Sequence, residues 1–123
     1  MTFAGIYEKA VYLIAEDPTS DQCGDLITRA HNLITVALSE ILPLYRAECN
    51  DSGAVITAPE SMEEIFPGSD AVASLCILKL GYILASDENR ELYSVLKTEY
   101  EAQRARFIAS LNGDITAITD VYA

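Results

Sequence analysis

The sequence predicts an all-α domain in which about four main helices form a bundle. Apolar residues recur at helical spacing in four separate segments, and Ser or Thr stands where a helix cap is needed before the first three. Half of the residues are hydrophobic, which is too many for a disordered chain. A chain of 123 residues is long enough to bury a core without the help of disulfide bonds or bound metals, so we expect a single helical domain over 1–123.

The first two helices are predicted over 1–16 and 21–45. The first carries Phe3, Ile6, Tyr7 and Ala10 at helical spacing and is followed by a proline. The second has two neighbouring apolar rows, and a face of that width suits a helix that packs against two others. Pro43 is expected to bend or end this helix near its last turn.

The third and fourth helices are predicted over 70–86 and 89–110, joined by a short acidic turn. The third is apolar on most sides, which predicts that it is the central helix of the core. Gly81 lies within it, and the close approach of another helix would explain a glycine there. The fourth helix is two-faced, and its predicted inner stripe consists of Leu92, Tyr93, Leu96, Tyr100, Gln103 and Phe107.

Two segments outside the helices have β-prone sequences. The loop 46–68 contains a strong turn signal and then a short predicted strand at 54–57, which Pro59 ends. The tail 113–123 is apolar and is expected to be extended. The two could pair, within one subunit or between neighbours, and so cover exposed strand edges. The candidate subunit interface is therefore formed by Val55, Ile56, Ile115, Ile118, Val121 and Tyr122.

The charge of the chain limits its partners. It has 19 acidic and 8 basic side chains, for a net charge of -11. Such a surface repels phosphate groups, so tight binding of nucleic acid or of anionic membrane is not expected. No apolar run reaches the length of a membrane span, and the first residues do not resemble a signal peptide. We expect a soluble, intracellular protein.

Few residues indicate a particular chemistry. The three cysteines show no CxxC spacing, and with a single histidine they make a zinc site improbable. Cys76 is expected to be a small buried hydrophobe, and His31 a partly buried structural residue. Glu60-x-x-Glu63 and Glu88-x-x-Glu91 could hold Mg²⁺, as in some all-α nucleotide pyrophosphatases. They are explained better as solvent-exposed acidic residues that cap helix N-termini. We predict no catalytic, cofactor-binding or metal-binding residues, and hence no enzyme.

The basic residues of the fourth helix allow two interpretations. They are Arg90, Lys97, Arg104 and Arg106, and they could form a mild positive stripe in an otherwise acidic protein. The simpler interpretation is a solvated face. The alternative is a docking surface that matches acidic patches on an adjacent subunit.

The order of these parts resembles a known family, the head–tail connector (adaptor) proteins of tailed bacteriophages. The likeness is carried by a first helix of the form FxxIYEKAVYLIAED, a second that reads ITRAHNLITVALSEI, and a loop that leads to Phe66-Pro67. An Ala- and Leu-rich helix follows, then an acidic turn and a helix with Leu92-Tyr93 and Tyr100. The tail ends in Asp-Val-Tyr. The chain departs from the family in its short stretch after Gly113 and in the single short strand of its loop.

The resemblance implies a non-enzymatic virion structural protein of a phage or prophage. Such proteins assemble as an oligomeric ring on the portal protein of the filled head and offer a platform to a tail-side protein. DNA would pass through the channel without tight binding, and no cofactor or membrane is implied. The protein would be cytoplasmic during assembly and then part of the virion. The alternatives are a small cytoplasmic all-α interaction or regulatory protein and, less favoured, a Mg²⁺-dependent all-α nucleotide pyrophosphohydrolase.

Overall fold

The computed structural model describes residues 1–14 and 21–111, except for the side chains of residues 21–23, 87 and 88. This part of the chain forms four α-helices, α1 (Phe3–Ile14), α2 (Asp21–Cys49), α3 (Asp70–Glu88) and α4 (Arg90–Leu111). The predicted all-α class is confirmed. Within these residues no helix is long and apolar enough to cross a membrane. The last two residues of the predicted first helix and the predicted extended tail lie outside the described residues.

The third helix is the centre of the bundle, as predicted. It packs against each of the other three helices. Its side chains form much of the core, and several are completely or almost completely buried: Val72, Leu75, Cys76, Leu80 and Leu84. Because a helix that is buried on most sides cannot be strongly amphipathic, its sequence lacks a clear polar face.

Gly81 lies where α1 and α4 both approach α3. A Cβ atom at this position would lie 3.0 Å from Cδ1 of Leu13 on α1 and 3.6 Å from Cδ1 of Leu96 on α4. The close approach that the sequence predicted is therefore present, and two helices contribute to it.

The predicted end of the second helix at residue 45 is wrong, because α2 continues through Pro43 to Cys49. Pro43 is exposed, while the next residue, Leu44, is buried in the core. Burial of that leucine offsets the hydrogen bond that a proline inside a helix removes. The residue after the helix, Asn50, has a φ of 53°, which places it in the left-handed region and ends the helix.

A double hydrogen bond closes this end of α2. The amide of Asn50 donates to the carbonyl of Ala47 at 3.3 Å, and the amide of Asp51 donates to the carbonyl of Arg46 at 3.1 Å. These are the two bonds of a Schellman motif, which satisfies carbonyls that the helix leaves open.

Asn89 serves as the boundary of two helices at once. Its backbone amide donates to the carbonyl of Ala85 and so caps α3. Its side-chain oxygen accepts a hydrogen bond at 3.1 Å from the amide of Leu92 in the first turn of α4. A single residue therefore makes the connection, and α3 and α4 pack along their length.

The strand predicted at 54–57 is wrong, since this segment has no regular secondary structure. The segment is instead fastened to α2. The guanidinium Nε of Arg46 donates to the carbonyl of Ala54 at 2.8 Å, and Ile56 is buried in the core. Burial of one side chain and one charged hydrogen bond stabilise an irregular backbone here without a partner strand.

The end of the loop pairs with the beginning of the chain, which the sequence did not predict. Thr2 and Ile65 form an isolated antiparallel bridge. The amides of Phe3 and Ala4 donate to the carbonyls of Glu64 and Met62 at 2.9 and 2.8 Å. The rings of Phe3 and Phe66 meet edge to face with their centroids 5.5 Å apart. The loop is thus held at both of its ends.

Candidate docking surfaces and the lysine–tyrosine cluster

The six candidate interface residues fall into three groups. Val55 is exposed, whereas Ile56 is buried and is not accessible to a second chain. Ile115, Ile118, Val121 and Tyr122 lie outside the described residues. The loss of the strand at 54–57 removes the proposed pairing partner of the tail. An interface that involves the tail stays a prediction.

An exposed apolar surface does lie elsewhere in the loop. Ile65 is 74% exposed, and Met1, 47% exposed, is joined to the same stretch because its carbonyl accepts the amide of Phe66 at 2.9 Å. Glu60 and Glu63 are exposed in the preceding turn. We call the surface formed by Met1, Glu60, Glu63 and Ile65 the acidic loop end.

The turn that precedes Ile65 is held by hydrogen bonds between its own residues. The carboxylate of Glu64 accepts the amide of Ser61 at 2.9 Å, and the hydroxyl of Ser61 accepts the amide of Glu63 at 3.2 Å. The backbone here is an irregular turn that is held by its own side chains. Its carboxylates at 60 and 63 stay free of this internal network and point their charge to the outside of the molecule.

A buried lysine forms the most unusual polar site of the described residues. Lys79 lies in the middle of α3 and is only 9% exposed. Its ammonium group donates to the hydroxyl of Tyr82 and lies 4.6 Å from the centre of that ring. It also lies 5.5 Å from the ring centre of Tyr100 and 3.8 Å from Oε1 of Glu40 on α2. Burial of a charge is costly, and these contacts offset that cost.

Tyr93 and Tyr100 extend this site onto α4. The ring centroid of Tyr82 lies 5.6 Å from that of Tyr93 and 5.6 Å from that of Tyr100, and both contacts are edge to face. The ammonium group of Lys97 lies 5.8 Å from the centre of the Tyr93 ring. Tyrosine and cationic side chains therefore alternate across the contact between α3 and α4. The ammonium group of Lys79 meets Tyr82 at its hydroxyl, and those of Lys79 and Lys97 lie near the rings of Tyr100 and Tyr93.

The hydroxyl group of Tyr100 is buried and has no hydrogen-bond partner. Burial, followed by the charge of Glu40, raises the pKa of Tyr100 to about 12. Burial also raises the pKa of Tyr82, and Glu40 contributes there as well. Both phenols are neutral at physiological pH, so they act here as packed rings and hydrogen-bonding groups rather than as acids or bases.

His31 is a partly buried structural residue, as predicted. Its Nδ1 lies 3.0 Å from the hydroxyl of Tyr7, and the two rings meet edge to face with centroids 5.4 Å apart. Tyr7 is fully buried and its pKa is raised by that burial. The pair joins α1 to α2. Cys76 is buried as predicted, and burial raises the pKa of its thiol to about 12.

The first of the two carboxylate pairs that could hold Mg²⁺ does not lie on a helix. Glu60 and Glu63 lie in the irregular turn, and Glu91 is exposed in the first turn of α4. The side chain of Glu88 is outside the described residues. No group of three or more His, Cys, Asp or Glu residues within the described part of the chain is placed to hold a metal ion.

Lys79 was not among the residues that the sequence indicated as a candidate site. The spacing of lysine and tyrosine residues in the sequence could have indicated this cluster. Lys79 and Tyr82 are three residues apart on α3, and Tyr93, Lys97 and Tyr100 follow on α4 at intervals of four and three. Residues at these intervals share one helix face, so two such faces in consecutive helices predict one common cluster.

Comparison with known proteins identifies no relative. No protein-family model, no curated protein and no solved structure matches the chain.

Proposed function

We propose that the chain is a non-enzymatic virion structural protein of a tailed bacteriophage or prophage. In this proposal it is a head–tail connector that joins the portal protein to the tail by assembling into a ring. It would be cytoplasmic during assembly and then part of the virion. The resemblance in the order of parts motivates the proposal. The four helices and the long connection before α3 agree with that order.

One observation of the structure supports a docking function in particular. The acidic loop end includes Ile65, which is 74% exposed, and exposed Met1, whose carbonyl accepts the amide of the neighbouring Phe66. The turn beneath them is held by hydrogen bonds of its own side chains, so the apolar groups are displayed on a fixed backbone. An apolar centre with a charged rim is the usual anatomy of a protein–protein interface. A monomer gains no stability from such an arrangement.

The net charge of -11 fits the same function. A ring that continues the DNA channel must let the phosphate backbone pass without binding it. A negative wall does so because it offers no cation to replace the counterions of the DNA. Partners of the chain would therefore be copies of itself, the portal protein and a tail-side protein.

The proposal is tested by mixing the purified chain with the portal protein encoded in the same genome and imaging the mixture by electron microscopy. We expect a collar of added density on the portal ring. Ile65→Glu should abolish the collar, because it places a charge in the centre of the apolar surface. Val95→Glu is the matched control, since Val95 is 63% exposed on α4 and away from the loop. Absence of a collar with the unmodified chain, at low and at moderate salt, would refute the connector function.

The same exposed surface also fits the alternative of a small all-α interaction or regulatory protein with a single partner. The two functions differ in stoichiometry. A connector binds as a ring of many copies, whereas a regulatory protein captures its partner as a monomer or dimer. A defined complex of low stoichiometry with a host protein, together with no binding to the portal, would favour the alternative.

A hydrolase function can be tested directly with Mg²⁺. We measure Mg²⁺ binding by calorimetry for the unmodified chain and for Glu60→Gln and Glu91→Gln. We expect no saturable binding, because an irregular turn and a single exposed carboxylate do not provide the convergent oxygen ligands that Mg²⁺ requires. Saturable Mg²⁺ binding that either substitution weakens would support the hydrolase function.

A further inference from the structure

We infer that a groove between the first turns of α3 and the last turns of α4 is covered by the chain's own tail, residues 112–123. The tail lies outside the described residues, and the part of the chain that precedes it ends with α4 at Leu111. The contact lies within one copy of the chain, so it goes beyond the proposed function and does not depend on it. It would make the tail a part of the folded domain.

The groove is a cavity of about 460 Å³ that is open to solvent. Its walls include three small side chains that are exposed, those of Ala71 and Ser74 on α3 and of Ser110 on α4. Leu75 and Phe107 also line it, and both belong to the hydrophobic core. Because the exposed wall residues are small, they leave space next to two large apolar side chains. Ligand pockets have volumes of about 300–1,000 Å³, so this groove is large enough for a few side chains.

The border of the groove is polar but has no net charge. Asp70 on α3 and Arg106 on α4 carry opposite charges, and Gln103 adds a neutral amide. A border of this kind neither selects a strongly charged partner nor repels a segment that contains a few carboxylates. The groove therefore suits an occupant that is mainly apolar, and the tail, with Asp114 and Asp120 among its residues, meets this condition.

The chain leaves α4 directly at the groove. Ser110 lines the groove and Leu111 is the last residue of α4, so the tail begins within two residues of the groove wall. Gly113 follows, and a glycine allows the chain to reverse its direction at little steric cost. From Gln103 to Ser110 the groove follows about 10 Å of helix. Five extended residues span about 17 Å, so residues 114–118 are long enough to run back along it.

The composition of the tail favours burial. Residues 112–123 contain no lysine or arginine, and their larger apolar residues are Ile115, Ile118, Val121 and Tyr122. An isoleucine that enters the groove removes apolar surface from water on both sides of the contact, which is favourable. Ile115 and Ile118 are the first two of these residues along the chain. They are therefore the side chains that the groove is expected to hold.

The tail of the same copy has an advantage over the tail of a second copy. Only residues 112–114 separate the end of α4 from Ile115. A connection this short gives the tail an effective concentration on the order of millimolar at the groove. Occupation of the groove should therefore not depend on the protein concentration. In this arrangement Ile115 and Ile118 serve their own domain, which differs from the contact between subunits that the sequence suggested.

A thiol placed in the groove tests the inference. Ser74→Cys introduces it on the groove wall, and Ser94→Cys is the matched control, since Ser94 is exposed on α4 and does not line the groove. Each is made with the unmodified tail and with a tail that carries Ile115→Asp and Ile118→Asp. Circular dichroism checks that the helix content is unchanged. Modification by iodoacetamide is followed for each peptide by mass spectrometry, with exposed Cys49 as an internal reference.

We expect the thiol of Ser74→Cys to react at least about tenfold more slowly with the unmodified tail than with the substituted tail, at every protein concentration. The thiols of Ser94→Cys and Cys49 should react at the same rate with both tails. Equal rates for Ser74→Cys with the two tails would overturn the inference. Protection that arises only as the protein concentration rises would also overturn it, since the groove would then hold the tail of a second copy.

Hydrogen exchange gives a second measurement, on the tail itself. Ser74→Glu places a charge on the groove wall, and Ser94→Glu is its matched control. The amides of residues 115–121 should exchange faster in Ser74→Glu than in the parent chain or in Ser94→Glu, because the tail is released from the groove. Exchange at the rate of an unstructured peptide in all three proteins would show that the tail does not dock.

Discussion

Two buried tyrosines make a sensitive test of the hydrogen bonding in this bundle. Tyr7 and Tyr100 are both almost completely buried, and both rings pack edge to face against a neighbouring ring. They differ in the hydroxyl group. That of Tyr7 lies 3.0 Å from Nδ1 of His31, whereas that of Tyr100 has no partner. Substitution of each by phenylalanine removes only the hydroxyl, so the two variants should change stability in opposite directions.

The expected magnitudes follow from the contacts. A hydrogen bond in a protein contributes about 1 kcal/mol net, so Tyr7→Phe should lower the free energy of unfolding by about that amount and leave His31 unpaired. A buried polar group without a partner costs roughly 1–3 kcal/mol, so Tyr100→Phe should raise the free energy of unfolding by about 1 kcal/mol or more. The difference between the variants should therefore be about 2 kcal/mol.

Urea unfolding at neutral pH, followed by circular dichroism, measures this difference. The m-values of the two variants should agree with that of the parent chain, because the surface exposed on unfolding is nearly unchanged. The double variant should show the sum of the two effects if the sites are independent. Should Tyr100→Phe prove as destabilising as Tyr7→Phe, the hydroxyl of Tyr100 must have a partner in the folded protein, and the reasoning would be refuted.

Further predictions concern pH, thiol reactivity and the end of α2. The pKa of Tyr100 is raised from 10.0 to about 12, so the unfolded chain loses this proton first. The contribution of Tyr100 to stability should be fully present below pH 10 and be lost between pH 10 and 12, by up to about 1.4 kcal/mol per unit, so stability should fall less steeply over this range in Tyr100→Phe. Iodoacetamide should modify exposed Cys49 in the folded protein but buried Cys76 only after denaturation, as mass spectrometry would show. Asn50→Ala should lower the free energy of unfolding by about 1 kcal/mol and Asn50→Gly should not, because only glycine adopts the positive φ without strain.

The helices could be predicted because their signals are local. The capping serine at 69 and the apolar periodicity set the start of α3 at Asp70, and the structure agrees. The end of α2 was missed because a proline is a local signal against a helix, while the burial of Leu44 beyond it depends on the tertiary fold. Where local preference and core packing oppose each other, the sequence alone does not give their balance.

The loop was harder to predict because its contacts are distant in sequence. The segment 54–57 has a β-prone composition, yet composition describes a preference for a sheet and not the presence of a partner strand. The pairing that does form joins Thr2 to Ile65, more than sixty residues apart, through backbone groups that every residue carries. No pattern of side chains could have identified it. This pairing joins the backbone at Met1 to that at Phe66, next to exposed Ile65.

The lysine of the central helix was readable in principle. A helix that is apolar on most sides must pack against neighbouring elements on most sides. A single long charged side chain within it then indicates the side on which this packing is incomplete. Lys79 occupies that position, between two helices that both pack on α3 but scarcely on each other. Its ammonium group is held there by contacts with Tyr82, Tyr100 and Glu40.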